Sequence, residues 1–295
     1  MRGRAIRLSR TRRMIVDLMH FSSAVPTVPV QRRMNLSDVI AARDDCRVRP
    51  SWTAIFTKAY ALVAADMPEL RRAYVKFPWP RLFEYPASVA TITVERDYEG
   101  EKGVFGLRVK DPAALTLEDL TQSLRHASTA PVGDIKSFRK ALRVAGLPVF
   151  LRRPLWWLAL NVGRQRANYF GTFAVSVYSA LGAESLHPLS PCTTLLNYGV
   201  ISPDGTCDVR LIYDHRVMDG ANVARALAAL EATMCGPIVE ELRRMNLSGE
   251  DPVDVGVEGD KLDGHERPYD GHDGHPRPYQ VRQLDERRKA CQHQS

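Results

Sequence analysis

Apolar and polar positions along this chain change period several times, and the sharpest change falls between Asp208 and Met234. Up to Asp214 the apolar residues occupy every second position, Val209, Leu211 and Tyr213, and His215 keeps their parity. That is the two-residue period of a strand. The alternation then stops at Asp219-Gly220, a turn dipeptide. Val223, Ala226, Leu227, Leu230 and Met234 follow at spacings of three and four, the apolar face of a helix that Asp219 is placed to cap. A histidine therefore stands at a strand end with a carboxylate four residues later. Imidazole titrates near neutral pH and needs its tautomer held, so the pair suits a general base.

The remaining elements are read the same way. Residues 1–13 form a basic, flexible arm, and Met14 to Phe21 turns apolar as helix or strand. Val25 to Leu36 is extended, with Pro26 and Pro29 confining it to an edge or a lead-in, and Asn35 or Ser37 caps a short helix. Trp52 to Tyr74 carries Ile55, Tyr60, Leu62, Val63 and Leu70 as the stripe of a long helix. Ala87–Val94 and Val104–Val109 are strands, and Leu117–His126 is a helix capped by Thr116. Thr172–Tyr178 and Thr193–Val200 are strands, the second joined to Asp208–Asp214 by a hairpin turn at Ser202–Gly205, so these three are expected as neighbours. Leu147–Val162 is strongly apolar but broken by Arg152-Arg153-Pro154. It is expected to pack on the core or at a subunit interface. Trp156 and Trp157 between arginines give a second reading, an interfacial helix touching lipid or an acyl chain.

Composition bounds the picture. The 295 residues are 44% hydrophobic and 25% charged, ordinary globular values for one large domain with extras, or two. Net charge is +7, with arginines crowding the first thirteen positions and a second basic cluster between Lys136 and Arg166. Neither a zinc-finger spacing nor an RNA-recognition signature accompanies it, so nucleic acid is not the expected partner. Five scattered cysteines, an odd number, argue for reduced thiols in the cytoplasm. No signal peptide and no apolar run of roughly 18 residues is visible. Beyond Asn246 the apolar period vanishes, and residues near Gly264 to Tyr279 form an imperfect repeat rich in Asp, Gly and His. The expected division is a catalytic domain at 1–245 and a disordered, low-complexity tail at 246–295. His265, His272 and His275 lack tetrahedral ligand spacing, so no metal site is expected there.

The run Tyr213-Asp214-His215-Arg216-Val217-Met218-Asp219-Gly220-Ala221 resembles the signature of the acyltransferase core of 2-oxoacid dehydrogenase complexes. That core shares a superfamily with chloramphenicol acetyltransferase and its related His-x-x-x-Asp-Gly motif. Gly171-Thr172-Phe173-Ala174-Val175-Ser176 resembles the family's strand carrying the serine that faces the catalytic histidine. The likeness extends over roughly residues 5–235 and includes a basic opening segment and a long helix at Trp52–Tyr74. It implies an α/β, two-layer chloramphenicol-acetyltransferase-like fold, a mixed or antiparallel sheet covered by helices. It also implies a homotrimer, or a multiple of one, with serine and histidine of one site on different subunits.

The resemblance further implies an acyl-CoA-dependent acyltransferase, with coenzyme A or acyl-CoA as substrate and direct transfer without an acyl-enzyme. His215 would be the base, Ser176 the donor to the oxyanion, and Asp219 the residue that pairs with Arg12 or Arg13 to hold the surroundings of the histidine. The residues that bind coenzyme A are not assigned. No lipoyl domain is recognisable in the sequence, so the expectation is a stand-alone core without its own lipoyl group. Its acceptor would be a dihydrolipoyl thiol on a separate carrier protein, or the hydroxyl or amine of a small molecule. A membrane surface is the less favoured partner. The rival reading is a non-catalytic trimeric scaffold or regulator that keeps the acyltransferase core.

Overall fold

The computed structural model of the chain describes residues 3–247; apart from Asn246 and Leu247 the tail, with His265, His272, His275 and Cys291, lies outside the described residues. Helix α1 (Arg10–Ser22) starts inside the stretch expected to be a flexible arm, because the Ser9 hydroxyl accepts from Arg12 N–H and caps it. Strand β1 (Thr27–Asn35) and helix α2 (Ser37–Asp44) follow as the pattern predicts. Asn35 prepares the helix by accepting from both the N–H and the hydroxyl of Ser37. Helix α3 (Trp52–Asp66) is capped by Ser51 and stops short of the predicted Tyr74. Pro68 is the reason: it holds Met67 extended and opens a short 3₁₀ turn. The last residues of the predicted helix are therefore β2 (Arg72–Val75), paired antiparallel with β3 (Arg81–Glu84).

Strands β4 (Val89–Tyr98) and β5 (Glu101–Lys110) make the longest antiparallel pair. Helix α4 (Leu117–Thr129) opens with a reciprocal capping box between Thr116 and Asp119. The basic and apolar stretch after it becomes three consecutive helices, α5 (Lys136–Gly146), α6 (Val149–Asn161) and α7 (Gly163–Phe170). Strand β6 (Phe173–Val175) is shorter than predicted, ending where the chain leaves for a 3₁₀ turn at Ser179–Leu181. Strands β7 (Thr194–Tyr198) and β8 (Thr206–Asp214) form the expected hairpin, closed by Gly205 N–H to Ser202 O at 2.9 Å. Helices α8 (Gly220–Thr233) and α9 (Val239–Leu247) finish the described chain.

Six strands make one mixed sheet in the order β1-β8-β7-β6-β4-β5. β6 runs parallel to both of its neighbours, and every other pair is antiparallel. Phe173 and Val175, Leu196 and Tyr198, and Val209, Leu211 and Tyr213 point to the face covered by α2, α3, α8 and α9. Phe56 stacks on Tyr198 at 4.1 Å and Tyr60 leans on Phe173 at 4.5 Å, which locks α3 to the sheet centre. The alternate residues Ala174, Leu195 and Ile212 face the other way, into a smaller cluster with Cys192. A separate core of Met14, Val94, Phe105, Phe138 and Leu142 seats α1 and α5 against β4 and β5. The architecture is α/β, a mixed sheet covered by helices.

Candidate active site

β8 ends at Asp214, and His215 keeps one further strand-like bond, its N–H donating to Pro26 O at 3.1 Å. The turn that follows is rigid because Asp214 is fully buried and fully used. Its carboxylate accepts from Arg216 N–H at 3.0 Å and from two guanidinium nitrogens at 2.8 and 2.7 Å. The guanidinium of Arg216 in turn lies over the Tyr74 ring at 4.5 Å. Arg166 braces the same corner from below, donating to Tyr74 O and Pro191 O. Its burial pulls the guanidinium below its ordinary range.

On this frame the His215 side chain stands 48% exposed, with Nδ1 3.6 Å from the Asp219 carboxylate. That separation is too long for a hydrogen bond and amounts to an ion pair when the ring is protonated. Asp219 occupies the N-cap position of α8, its carbonyl accepting from Asn222 and Val223 N–H. Its carboxylate makes no capping bond, contrary to the sequence expectation, and is spent on the histidine side. The Tyr213 ring, 5.3 Å from the imidazole, walls one side of it.

Ser176 follows directly on β6. Its N–H donates to Leu196 O at 3.2 Å, and its carbonyl accepts from the Asn197 side-chain amide at 2.5 Å. Its hydroxyl makes no hydrogen bond among the described residues, so a donor is held in a fixed backbone position with no partner of its own. Gly171 makes this strand start possible. It adopts φ +82°, and a Cβ there would sit 2.7 Å from Val89 O and from the Thr91 hydroxyl.

Within one chain these two side chains do not meet. Val175 pairs with Leu196 and Tyr213 with Thr194, so Ser176 lies level with Asn197 and His215 level with Cys192 on the strand between them. Five residues of strand, roughly 17 Å, separate them. Arg12 and Arg13 are also remote from Asp219. Their helix is fastened through Ser9 and Thr11 to Glu101 of β5, at the far edge of the sheet, and Arg13 donates to Leu8 O.

Two residues here escaped the sequence reading. Asn197 stands between Leu196 and Tyr198, a polar residue at a buried position, and that anomaly was its signal. His187, on the segment between β6 and β7, meets the Thr27 hydroxyl at 2.9 Å beside the Asp214 end of β8. No periodicity marks it. The same segment is tied over the second sheet face by Glu184, which accepts from Arg210 and from Val200 N–H.

No family model matches the chain, and no curated protein matches it in sequence. Solved structures do. A probable dihydrolipoamide acetyltransferase from Listeria monocytogenes 4b F2365 is 15% identical, with a TM-score of 0.57 over 79% of this chain and 94% of that one. The dihydrolipoamide acetyltransferase of Azotobacter vinelandii is 17% identical, with a TM-score of 0.59 over 80% and 93% of the two chains. The cubic core of a pyruvate dehydrogenase multienzyme complex gives 17% identity and a TM-score of 0.53, again over 80% and 93%. The protein has the fold of the acyltransferase cores of 2-oxoacid dehydrogenase complexes.

Proposed function

We propose that this protein is an acyltransferase that moves an acyl group between coenzyme A and a thiol, hydroxyl or amine acceptor, in a site assembled from two chains. The observation that carries the proposal is the pair of half-sites. One end of the sheet offers an exposed imidazole with a carboxylate beside Nδ1, and the other offers a rigidly held hydroxyl without a partner. Side by side from two subunits, they supply the base and the oxyanion donor that acyl transfer requires.

In the forward step Nε2 of His215 takes the proton of the acceptor as its thiol, hydroxyl or amine attacks the thioester carbonyl. The Ser176 hydroxyl donates to the oxyanion of the tetrahedral intermediate. Collapse breaks the carbon–sulfur bond, and the imidazolium returns its proton to the departing coenzyme A thiolate. Asp219, 3.6 Å from Nδ1, stays beside the ring throughout. Arg12 or Arg13 of a neighbouring chain is then the partner for Asp219 that a single chain lacks.

Several observations support this reading. For the Azotobacter vinelandii enzyme, a serine, a histidine and an asparagine four residues past the histidine are named in the catalytic mechanism. This chain offers Ser176, His215 and, at the same spacing, Asp219. A cubic core among the similar structures supports a homotrimer, or a multiple of it, as the unit. Beside Ser176, the segment after β6 leaves Tyr178, Leu181 and Leu186 exposed, an apolar rim suited to a second chain. Cys46, Cys192 and Cys207 are buried, unbridged thiols, in keeping with a cytoplasmic protein.

The test is complementation. His215→Ala and Ser176→Ala chains are each assayed for thiol release from acetyl-CoA against a panel of acceptors, then co-expressed and assayed again. Each alone should be inactive, and random mixing in trimers should restore about a quarter of wild-type activity, because that share of junctions unites an intact serine with an intact histidine. Mixtures as dead as their parents would refute the shared site. Wild-type protein that neither turns over nor binds coenzyme A would favour the scaffold.

A further inference from the structure

Helix α6 is built inside out. Its inward side carries Arg152, 10% exposed, in an ion pair with the buried carboxylate of Asp17 on α1. Phe150, Leu151, Leu155 and Leu158 face outward, and Phe150 is 71% exposed. An amphipathic helix on a protein surface normally does the opposite. Next to it, the Trp157 ring meets Phe77 edge-on at 6.2 Å, which joins the helix to the turn between β2 and β3. That turn exposes Trp79 (66%), with the Arg81 guanidinium lying over its ring and donating to Phe77 O and Trp79 O.

The charge along the chain that builds α5, α6 and α7 has one sign. From Ile135 to Ala183 the chain holds eight arginines and lysines and no carboxylate. α5, which leads straight into α6, buries Phe138 and Leu142 and exposes Lys136, Arg139, Lys140 and Arg143. Exposed tryptophans, aliphatic side chains and cations together are the composition of a helix that lies in the headgroup layer of a bilayer. No helix among the described residues is long and apolar enough to cross a membrane, so the surface would lie on a bilayer and not span it. A second copy of the chain fits the charge poorly, since a two-fold contact would set like charges opposite one another.

We propose that α6 and the tip of the β2–β3 turn dock this protein on an anionic lipid surface. The apolar side chains enter the acyl boundary, and the cations of α5 meet the headgroups.

The experiment is flotation of the full chain with vesicles of phosphatidylcholine alone and of phosphatidylcholine with about a third phosphatidylglycerol, an amount chosen to give a strongly negative surface. Binding is expected only to the anionic vesicles and should weaken with added salt. Paired substitution Phe150→Glu with Leu155→Glu should lower the partition at least roughly tenfold, and loss of each α5 cation by roughly fivefold. Leu247→Glu, an equally drastic change on exposed α9, should leave it unchanged. Circular dichroism and sedimentation velocity on each variant establish that fold and assembly persist. Absence of binding to anionic vesicles overturns the proposal. So does binding that survives the α6 pair, which would assign it to another segment such as the basic N-terminus. A loss of assembly in the α6 pair, with no vesicle binding by the wild type, would make the face a contact between copies instead. No arm of the experiment reads acyl transfer, so the outcome stands apart from the catalytic proposal.

Discussion

At the scale of single residues, the two halves of the proposed site should respond differently to truncation. Ser176→Ala removes a donor whose backbone stays fixed by Leu196 and Asn197. It is expected to lower kcat about 10²–10³-fold with KM nearly unchanged, as measured by initial rates of coenzyme A release. His215→Ala should cost about 10²–10⁴-fold in the same assay. Gly171→Ala reports on structure and not on chemistry. Its positive φ and the 2.7 Å approach to Val89 O should cost about 2 kcal/mol, read as a lowered urea midpoint with the slope preserved. Cys207 is the counterexample to a reactive residue. Burial pushes its thiol up to about 11, so it should resist alkylation at pH 8 until the protein is unfolded.

At the scale of elements, α6 is tied to α1 by Arg152, with Arg153 3.8 Å from the same Asp17 carboxylate, and to the β2–β3 turn by Asn161, which accepts from Lys76 N–H. Arg152→Ala would leave the buried Asp17 carboxylate only the longer contact with Arg153, at 3.8 Å, and should destabilise the fold by about 3 kcal/mol. Replacing both partners, Asp17→Asn with Arg152→Met, should recover most of that loss in the same denaturation experiment. The orientation of α6 was not legible in the sequence. Its apolar composition predicted burial, and only the long-range pairing with Asp17 turns the arginine inward. By contrast β8, the turn at Asp219-Gly220 and α8 could be read directly, because alternation, turn dipeptide and helical spacing are all local. The overextension of α3 had a local cause as well, in Pro68, but Leu70 happened to fall on the helical stripe. Ser176 and His215 were both singled out by motif, and the resemblance already implied that serine and histidine of one site stand on different subunits. The distance between them within one chain follows from the parallel pairing of β6 with β7, which no local pattern encodes.

At the scale of the whole molecule, the proposed site, made by two chains, would tie activity to assembly. Specific activity of the wild type should fall as enzyme is diluted below its assembly constant, and sedimentation at the same concentrations should track the fall. Constant specific activity across that range would mean a competent monomer. How copies can join is narrowed by the sheet's two outer strands. β1 carries Pro29, which has no N–H to offer a newcomer, and its Arg32 and Arg33 are already engaged by Glu231 and Asp208. β5 is overlaid by α1, with Thr11 pressed on Gly103. Growth by adding strand to strand is closed at both margins. The protein can thus be crowded on a surface or in a large particle without its sheet becoming the seed of a fibre.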